Sequence, residues 1–402
     1  MAKTTGLTAE IAIVGAGAAG LTAALALAGA GLETVLLAKP ARPDNRTTGL
    51  LAGSVTALET LGVWPALVDC AAPLRTLRIV DDTMRLLRAP EARFEAGEIG
   101  LTAFGHNIEN RHLHAALQAR AAELPALQRL DDEVEGIDIR EERVTLRLKS
   151  GSRITARLVI GADGHRSLCR TTAGIDTVGW SYPQSALTLN IGHTRPHDFI
   201  STEFHTENGP FTLVPLPAAR SSIVWVGDTA QIDRLAALDD TSLAQQVEQR
   251  SHSILGKITL EQGRGVFPLA VESARSFGIN RIALIGDAAH RLPPIGAQGL
   301  NLGLRDAATI AELAAQTRGG DPGNADLLAR YDRLRRIDVT SRTVAVDLLN
   351  RSLLSGFLPV QGARGFGFYL LNRIGPLRRA VMREGVAPVT AQPRLMRGEA
   401  LV

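Results

Sequence analysis

The amino-acid sequence predicts an α/β fold: a Rossmann-like domain into which an antiparallel β-sheet is inserted, followed by C-terminal helices. Three observations predict it. An apolar strand, a glycine-rich turn and an Ala/Leu helix lie together at Glu10–Leu32. Two later apolar strands end in glycine and aspartate, at Gly161-Ala162-Asp163-Gly164 and at Gly286-Asp287. Between those two turns, short β-branched or aromatic runs are separated by Pro, Gly and polar residues, the pattern of an antiparallel sheet.

Composition narrows the class of protein. With 402 residues, 45% of them hydrophobic and 21% charged, the chain can bury two or more cores and lacks a disorder signature. The formal net charge is only +3, and the Arg residues are scattered until the C-terminal part, so nucleic acid is not an expected partner. Cys70 and Cys169 are too few and too far apart for a disulfide scaffold or a zinc site. No metal is expected, and a reducing, cytoplasmic setting fits.

The run EIAIVGAGAAGLTAALALAGAGL is nearly as long and apolar as a membrane span. Gly15, Gly17 and Gly20 argue instead for a strand Ile11–Val14, a tight turn, a helix Gly17–Ala30 and a second strand Thr34–Leu37. The first glycine makes the turn, the second lets a pyrophosphate approach the backbone, and the third lets helix and strand pack closely. Dinucleotide binding is the expected use. One part of the pattern is missing: Ala38, followed by Lys39, stands where an acid would hold the adenosine ribose. Asp44 in the loop KPARPDNR, backbone groups or water are the alternatives.

Further along, Arg46 precedes a helix suggested by Ser54, Leu58 and Leu61, and its guanidinium suits a pyrophosphate or a flavin. Leu74–Val80 and Met84–Leu87 read as a hairpin around Asp81-Asp82. Ile108–Ala122 reads as a helix that keeps Arg111 and Gln118 on one face. Strands Val144–Leu148 and Arg157–Ile160 then lead into the Asp163 turn.

The stretch RIALIGDAAHRLPPIGAQGLNLGLRD, Arg281–Asp306, carries the most chemistry. A strand breaks at Gly286-Asp287, a turn with Pro293, Pro294 and Gly296 follows, and a helix restarts through Asn301, Leu304 and Ala307. Asp287 can accept two hydrogen bonds from a ribose or ribityl chain. Free N–H groups around Gly296–Leu300 offer partial positive charge to an electron-rich ring, and Gly299 and Gly303 let a planar ring lie against the backbone. This environment suits a flavin.

Ala186–Gly192, Ile200–His205, Phe211–Leu216 and Ser222–Val226 are the expected strands of the inserted sheet, with a helix Leu243–Leu255 beside it and Val266–Leu269 leading back. His205, Phe211, Trp225 and Phe267 are candidates for either a pocket or plain sheet packing. After a helix Leu327–Asn350, the segment LLSGFLPVQGARGFGFYLLNRIGPLRRAVMREG sets Phe357, Phe366, Phe368 and Tyr369 beside Arg373, Arg378, Arg379 and Arg383. Two readings stay open: a patch that rests on a membrane surface or partner protein, and a helical cap on the fold. The expected organisation is a dinucleotide-binding domain in three parts (1–73, 101–180 and 271–350), a substrate domain in two (hairpin 74–100 and sheet 181–270), and a helical segment 351–402.

Gly15-Ala16-Gly17-Ala18-Ala19-Gly20, Ala162-Asp163-Gly164-His165-Arg166-Ser167 and Gly286-Asp287-Ala288-Ala289-His290 resemble, in order, the three fingerprints of single-component flavoprotein aromatic hydroxylases with the p-hydroxybenzoate hydroxylase fold. HRLPPIGAQGLNLGLRDA and DNRTTGLL…LGVW are most similar to the ubiquinone-biosynthesis hydroxylases (UbiH/UbiF/VisC-like). The resemblance covers most of Ile11–Asp347. It implies a glutathione-reductase-type FAD-binding domain, with FAD contacts from Gly15, Gly17, Ala18, Ala19, Gly20, Arg46, Arg111 and Gln118. It places Asp163, Gly164 and Arg166 near the FAD and nicotinamide routes, Gly286 and Asp287 at the ribityl-pyrophosphate side, and Pro294, Gly299, Leu300 and Asn301 at the isoalloxazine.

The resemblance also implies an FAD-dependent monooxygenase that uses NAD(P)H and O₂ to hydroxylate a polyprenylphenol, cytoplasmic or peripheral at the inner face of a membrane, with other ubiquinone-biosynthesis proteins as partners. No second glycine fingerprint is present, so NAD(P)H is expected to bind in a groove rather than in its own domain. No residue stands out in the sequence as the base for the phenol. The alternatives are another FAD redox enzyme (a soluble-aromatic hydroxylase, epoxidase or prenyl reductase) and a non-catalytic subunit that keeps the fold.

Overall fold

Strand Gly6–Val14 is buried along its second half, and a strand covered on both faces must sit in the middle of a sheet. The computed structural model, which describes residues 6–39, 44–85, 88–355, 357–386 and 392–401, places it there. On one side of it run Thr34–Leu37 and then Leu127–Leu130; on the other, Arg153–Gly161 and then Ile282–Leu284, all parallel. Helix Ala18–Gly29 is buried almost all round, which its Ala/Leu composition permits, and packs between this sheet and the helix Gln298–Gln316.

The register decides what the fold can do. Val14 lies beside Gly161, and Gly161 beside Leu284. The three glycine-containing turns therefore leave the carboxyl ends of three adjacent parallel strands, the edge where α/β sheets bind ligands.

The inserted sheet is larger than the expected runs. Thr177–His193, Ile200–Thr206, Gly209–Leu216, Arg220–Asp228 and Gly265–Ala274 join with Thr76–Asp81, Ala92–Glu95 and two short strands, Ile258–Leu260 and His290–Arg291, in one nine-stranded sheet. Its outer face packs Phe204, Phe211 and Trp225 against helices Thr229–Ala236 and Asp240–Arg250. Phe211 and Trp225 meet edge-on at 4.9 Å, so both are sheet packing and not pocket residues. The hairpin over Leu74–Val80 and Met84–Leu87 needs correction. Thr76–Asp81 pairs instead with Ala92–Glu95, and no strand is present at Met84 and Arg85; Leu86 and Leu87 lie outside the described residues. Asp81 explains the longer loop, since its carboxylate accepts the N–H groups of Thr83 and Ala89.

Thr47–Leu51, Gly105–Glu109 and Ala71–Pro73 form a small third sheet that links the two larger ones. Two C-terminal helices, Leu358–Arg373 and Gly375–Val386, close one end: Phe368, Leu371, Met382 and Val386 pack with Phe94 and Phe104.

Candidate cofactor and active site

Between the parallel sheet and the inserted one lies a cavity of about 1720 Å³. Ligand pockets commonly span about 300–1000 Å³, so this one has room for more than one molecule. Gly15, Gly17, Ala18, Ala19, Gly20, Arg46, Arg111, Gln118, Asp163, Gly164, Arg166, Gly286, Asp287, Pro294, Gly299 and Leu300 all line it.

Whether the cavity fits a dinucleotide can be read from its glycines. A Cβ at Gly15 would lie 2.2 Å from the Ala162 carbonyl oxygen, and one at Gly20 2.0 Å from the Gly15 carbonyl oxygen. These two glycines let the turns and helix pack. At Gly17, Gly164 and Gly299 an added Cβ meets nothing within 4 Å, so their backbones face open cavity. Helix Ala18–Gly29 begins at Gly17, and helix Gln298–Gln316 at Ala297, with no side-chain cap on either, which leaves both sets of first-turn N–H groups for an anionic ligand. The residues present fit FAD: a pyrophosphate at the first helix and a flavin ring edge at the second.

Asn301 is the one expected cofactor residue that does not line the cavity. It is buried behind the helix start, where its amide donates to the carbonyls of Gly49 (2.7 Å) and Ala297 (2.6 Å) and accepts the Leu51 N–H (2.9 Å). It thus ties the Gln298 helix to the strand Thr47–Leu51. The turn before that helix holds Gly296 and Ala297 in left-handed conformations (φ 66° and 54°), and a non-glycine residue there needs such support. Gln298 supplies more of it, donating to the Gly296 carbonyl while accepting from Arg342.

Beneath both Gly-Asp and Gly-Ala turns runs an ionic network. Fully buried Asp306 accepts the Gly286 N–H (2.9 Å), His290 Nε2 (2.7 Å) and Arg335 Nε (2.6 Å). Asp338 then receives Arg335, Arg305 and Arg342. Burial pushes the Asp306 carboxyl up, but His290 and Arg335 outweigh it and hold it below the usual carboxylate range. Gly286 and Gly296 are therefore connected through Asp306, Arg335, Asp338, Arg342 and the Gln298 amide.

The nucleotide end is less free than the sequence suggests. Asp44 lines the cavity, but its carboxylate already accepts Arg46 Nε, Arg46 Nη2 and Asn110 Nδ2. Arg46 in turn lies 5.1 Å over the Phe267 ring, which makes Phe267 a pocket residue. Arg111 pairs with Glu109 at 3.0 Å. Ala38 is buried, so a glutamate there would enter the core rather than reach a ribose. Acids from the neighbouring strand's end, Asp132 and Glu133, line the cavity beside Lys39, and Lys39 pairs with Glu133. His114 is a residue the sequence reading missed: its Nε2 lies 2.8 Å from the Ala16 carbonyl in the first glycine turn. Its position between Arg111 and Gln118 on the same helix was a usable signal.

The two Asp turns divide the work. Asp163 Oδ1 accepts Ser167 Oγ at 2.6 Å and Oδ2 the Cys169 N–H at 3.1 Å, so it organises its own loop. Asp287 is exposed to the cavity and makes no hydrogen bond within the described residues. Asp287→Ala is therefore expected to weaken FAD binding by one to two orders of magnitude for each charge-assisted bond of about 1.5–3 kcal/mol lost, and Asp163→Ala to lower thermal stability more than FAD affinity. Fluorescence titration of apoprotein with FAD, alongside melting curves, checks this; equal loss of affinity in both variants would contradict it.

The roof of the cavity is the inner face of the inserted sheet. Cross-strand register aligns Ile79, Glu203, Thr212, Val224 and Thr188 in one row across five strands, and all five line the cavity. Beyond it the wall is apolar, formed by Leu77, Phe94, Phe104, Phe368, Leu371 and Met382.

A Rossmann-like floor with three convergent turns, two uncapped helix starts and a β-sheet roof is the architecture of a flavin-dependent oxidoreductase. Comparison with known proteins agrees. The family described as "FAD binding domain" matches residues 8–345. Ubiquinone hydroxylase UbiL of Rhodospirillum rubrum is 34% identical over 362 residues, covering 88% of this chain and 83% of that one. The 3-demethoxyubiquinol 3-hydroxylase of Escherichia coli is 32% identical, covering 93% and 97%. Among solved structures, p-nitrophenol 4-monooxygenase PnpA from Pseudomonas putida superposes with a TM-score of 0.77 at 19% identity, covering 96% of this chain and all of that one, which shows the shared fold. The chain belongs to the FAD binding domain family, within its ubiquinone-biosynthesis hydroxylases.

Proposed function

We propose that this chain is an FAD-dependent, NAD(P)H-driven monooxygenase that hydroxylates the ring of a polyprenylphenol. The observation that carries the reading is the two-part cavity: glycine turns and helix starts at one end, and an apolar wall, built partly from the C-terminal helices, at the other. Bound FAD would take electrons from NAD(P)H and pass oxygen from O₂ to the ring. The chain's part is to hold the flavin's electron-rich edge at the Gly296–Leu300 N–H groups, to fix that turn through Asn301, Gln298 and Arg342, and to exclude water with Phe94, Phe104 and Phe368. Oxygen uptake with NAD(P)H, measured with and without a prenylphenol and with the hydroxylated product identified, tests the reading. Uptake that yields only hydrogen peroxide with every phenol would sink it.

The same C-terminal helices support a peripheral position on the inner face of a membrane. No helix among the described residues is long and apolar enough to cross a bilayer. Their inner residues serve the cavity, while Phe357, Phe366, Tyr369, Ile374 and Leu377 are exposed and do not line it, with Arg373, Arg379 and Arg383 beside them. Two residues of the expected patch do other work: Phe368 faces the cavity, and Arg378 is taken by Glu98 and lies 4.4 Å over the Phe94 ring. Replacing Phe366, Tyr369 and Leu377 together by Ser is expected to cut co-sedimentation with anionic liposomes at least tenfold and to leave the flavin absorbance ratio unchanged, since burying such side chains in lipid contributes about 1.5–3 kcal/mol each. Unaltered sedimentation would refute lipid docking by this face.

A further inference from the structure

We propose that Glu203 is the base that takes the proton from the substrate's phenol, an assignment that rests on the hydroxylase reading above. Among the described residues, six carboxylates line the cavity: Asp44, Asp132, Glu133, Asp163, Asp287 and Glu203. The first five belong to the nucleotide side, on the parallel-sheet floor and its loops. Glu203 alone stands on the roof, in the row with Ile79, Thr212, Val224 and Thr188, next to the apolar wall where a ring with a long tail would lie.

Glu203 pairs across the strands with Ile79, which packs in the cluster of Phe368 and Leu371; a carboxylate so near an apolar wall is costly to desolvate, and this one has built support. His205, two residues along the same strand and 2% exposed, places Nε2 2.7 Å from Glu203 Oε1, and its ring is held edge-on to Phe368 at 6.3 Å. Thr212 Oγ1 is 3.4 Å from Oε2, long for a hydroxyl bond, so Oε2 keeps acceptor capacity on a residue that lines the cavity. The other charges nearby are committed: Arg78 on the adjacent parallel strand to Glu91, and Asp81 to Thr83 and Ala89.

The phenol O–H bond breaks, its proton passes to Glu203 Oε2, and the electron pair stays on the phenol oxygen, enriching the ring carbons ortho and para to it. One of those carbons takes an oxygen atom from O₂; NAD(P)H supplies, through FAD, the two electrons that release the other as water. The hydrogen on the new C–O carbon leaves as a proton, and the ring oxygen recovers one from Glu203. His205 fixes Oε1 throughout and is a positioning residue.

The test compares wild-type holoenzyme with Glu203→Gln, which keeps shape and hydrogen bonding but cannot accept the proton. Two phenols are used: a prenylphenol neutral at the assay pH, and a polyfluorinated analogue already ionised there. With the neutral phenol, product formation should fall about 10²–10⁴-fold. With the ionised one it should stay within a few-fold of wild type, and its dissociation constant should drop, because a carboxylate no longer repels the phenolate. FAD content and melting temperature serve as folding controls. An undiminished rate with the neutral phenol, or equal loss with both phenols, would overturn the assignment. If wild-type enzyme hydroxylates neither phenol, the hydroxylase reading has failed and this assignment falls with it.

Discussion

Gly17→Val is expected to give a folded protein that does not take up FAD, whereas Gly20→Val is expected to give little folded protein at all. The two glycines sit three residues apart in one motif, and the difference comes from what surrounds them. A side chain at Gly20 would drive into the Gly15 carbonyl, 2.0 Å from the nearest Cβ position, inside the packed junction of helix, turn and the Ala162 loop. Backbone cannot give way there without separating helix Ala18–Gly29 from the sheet. Gly17 has extended backbone angles (φ −68°, ψ 175°) that valine adopts readily, and open cavity around it. Its substitution fills the place where the pyrophosphate would approach the helix N-terminus. Far-ultraviolet circular dichroism and melting curves report the fold; flavin absorbance after reconstitution reports the cofactor. A yellow Gly17→Val protein with wild-type FAD affinity would refute the placement of the dinucleotide.

Asp306→Ala is expected to destabilise the protein by about 3–5 kcal/mol, because it strands Arg335 in the interior without its main partner and removes the acceptor of the Gly286 N–H. Both side chains of the Asp306–Arg335 pair are at most 3% exposed, so solvent cannot take over. Chemical denaturation would show this as a fall in the midpoint. The same network predicts acid sensitivity. Burial pushes Asp306 and Asp338 upward, but the adjacent His290, Arg335 and Arg305 leave both below the usual carboxylate range. A carboxyl whose folded-state value is depressed contributes stability above its unfolded value of about 3.9 and loses it as pH falls through the folded value. Wild-type stability should therefore decline below about pH 4, and Asp306→Asn should flatten that decline. An unchanged slope in the variant would show that other groups govern acid unfolding.

Much of the fold was legible because its signals are local. The strand, glycine turn and helix at Glu10–Leu32 need only neighbouring residues to declare themselves, and the structure places strand Thr34–Leu37 at the residues expected. The runs of the inserted sheet were legible for the same reason, although Thr177–His193 is longer than its apolar part, since its first residues pair with Gly265–Ala274 across a register shift. The hairpin near Asp81 misled because the partner strand Ala92–Glu95 is short and polar at alternate positions, and only pairing identifies it. Asn301 misled differently. Its place at a helix start beside the flavin loop reads as contact, but its side chain turns toward Gly49 and Leu51, some 250 residues earlier.

By itself, then, the sequence determined the dinucleotide turn, the order of the three Gly-containing motifs and the family to which they belong, because backbone geometry at Gly15, Gly20 and the strand ends is dictated by adjacent residues. Tertiary structure alone decided how those turns meet. Only the parallel register of Val14, Gly161 and Leu284 makes one site of three motifs spread over some 270 residues. It also decided which charges are free: Asp44 and Asp163 are spent on loop partners, Asp287 is not, and Glu203 reaches the roof of the cavity because strand pleating turns it, with His205, away from the Phe204 core. Side-chain direction and partnership depend on residues far apart in the chain, and these become neighbours only when the sheets close over the cavity.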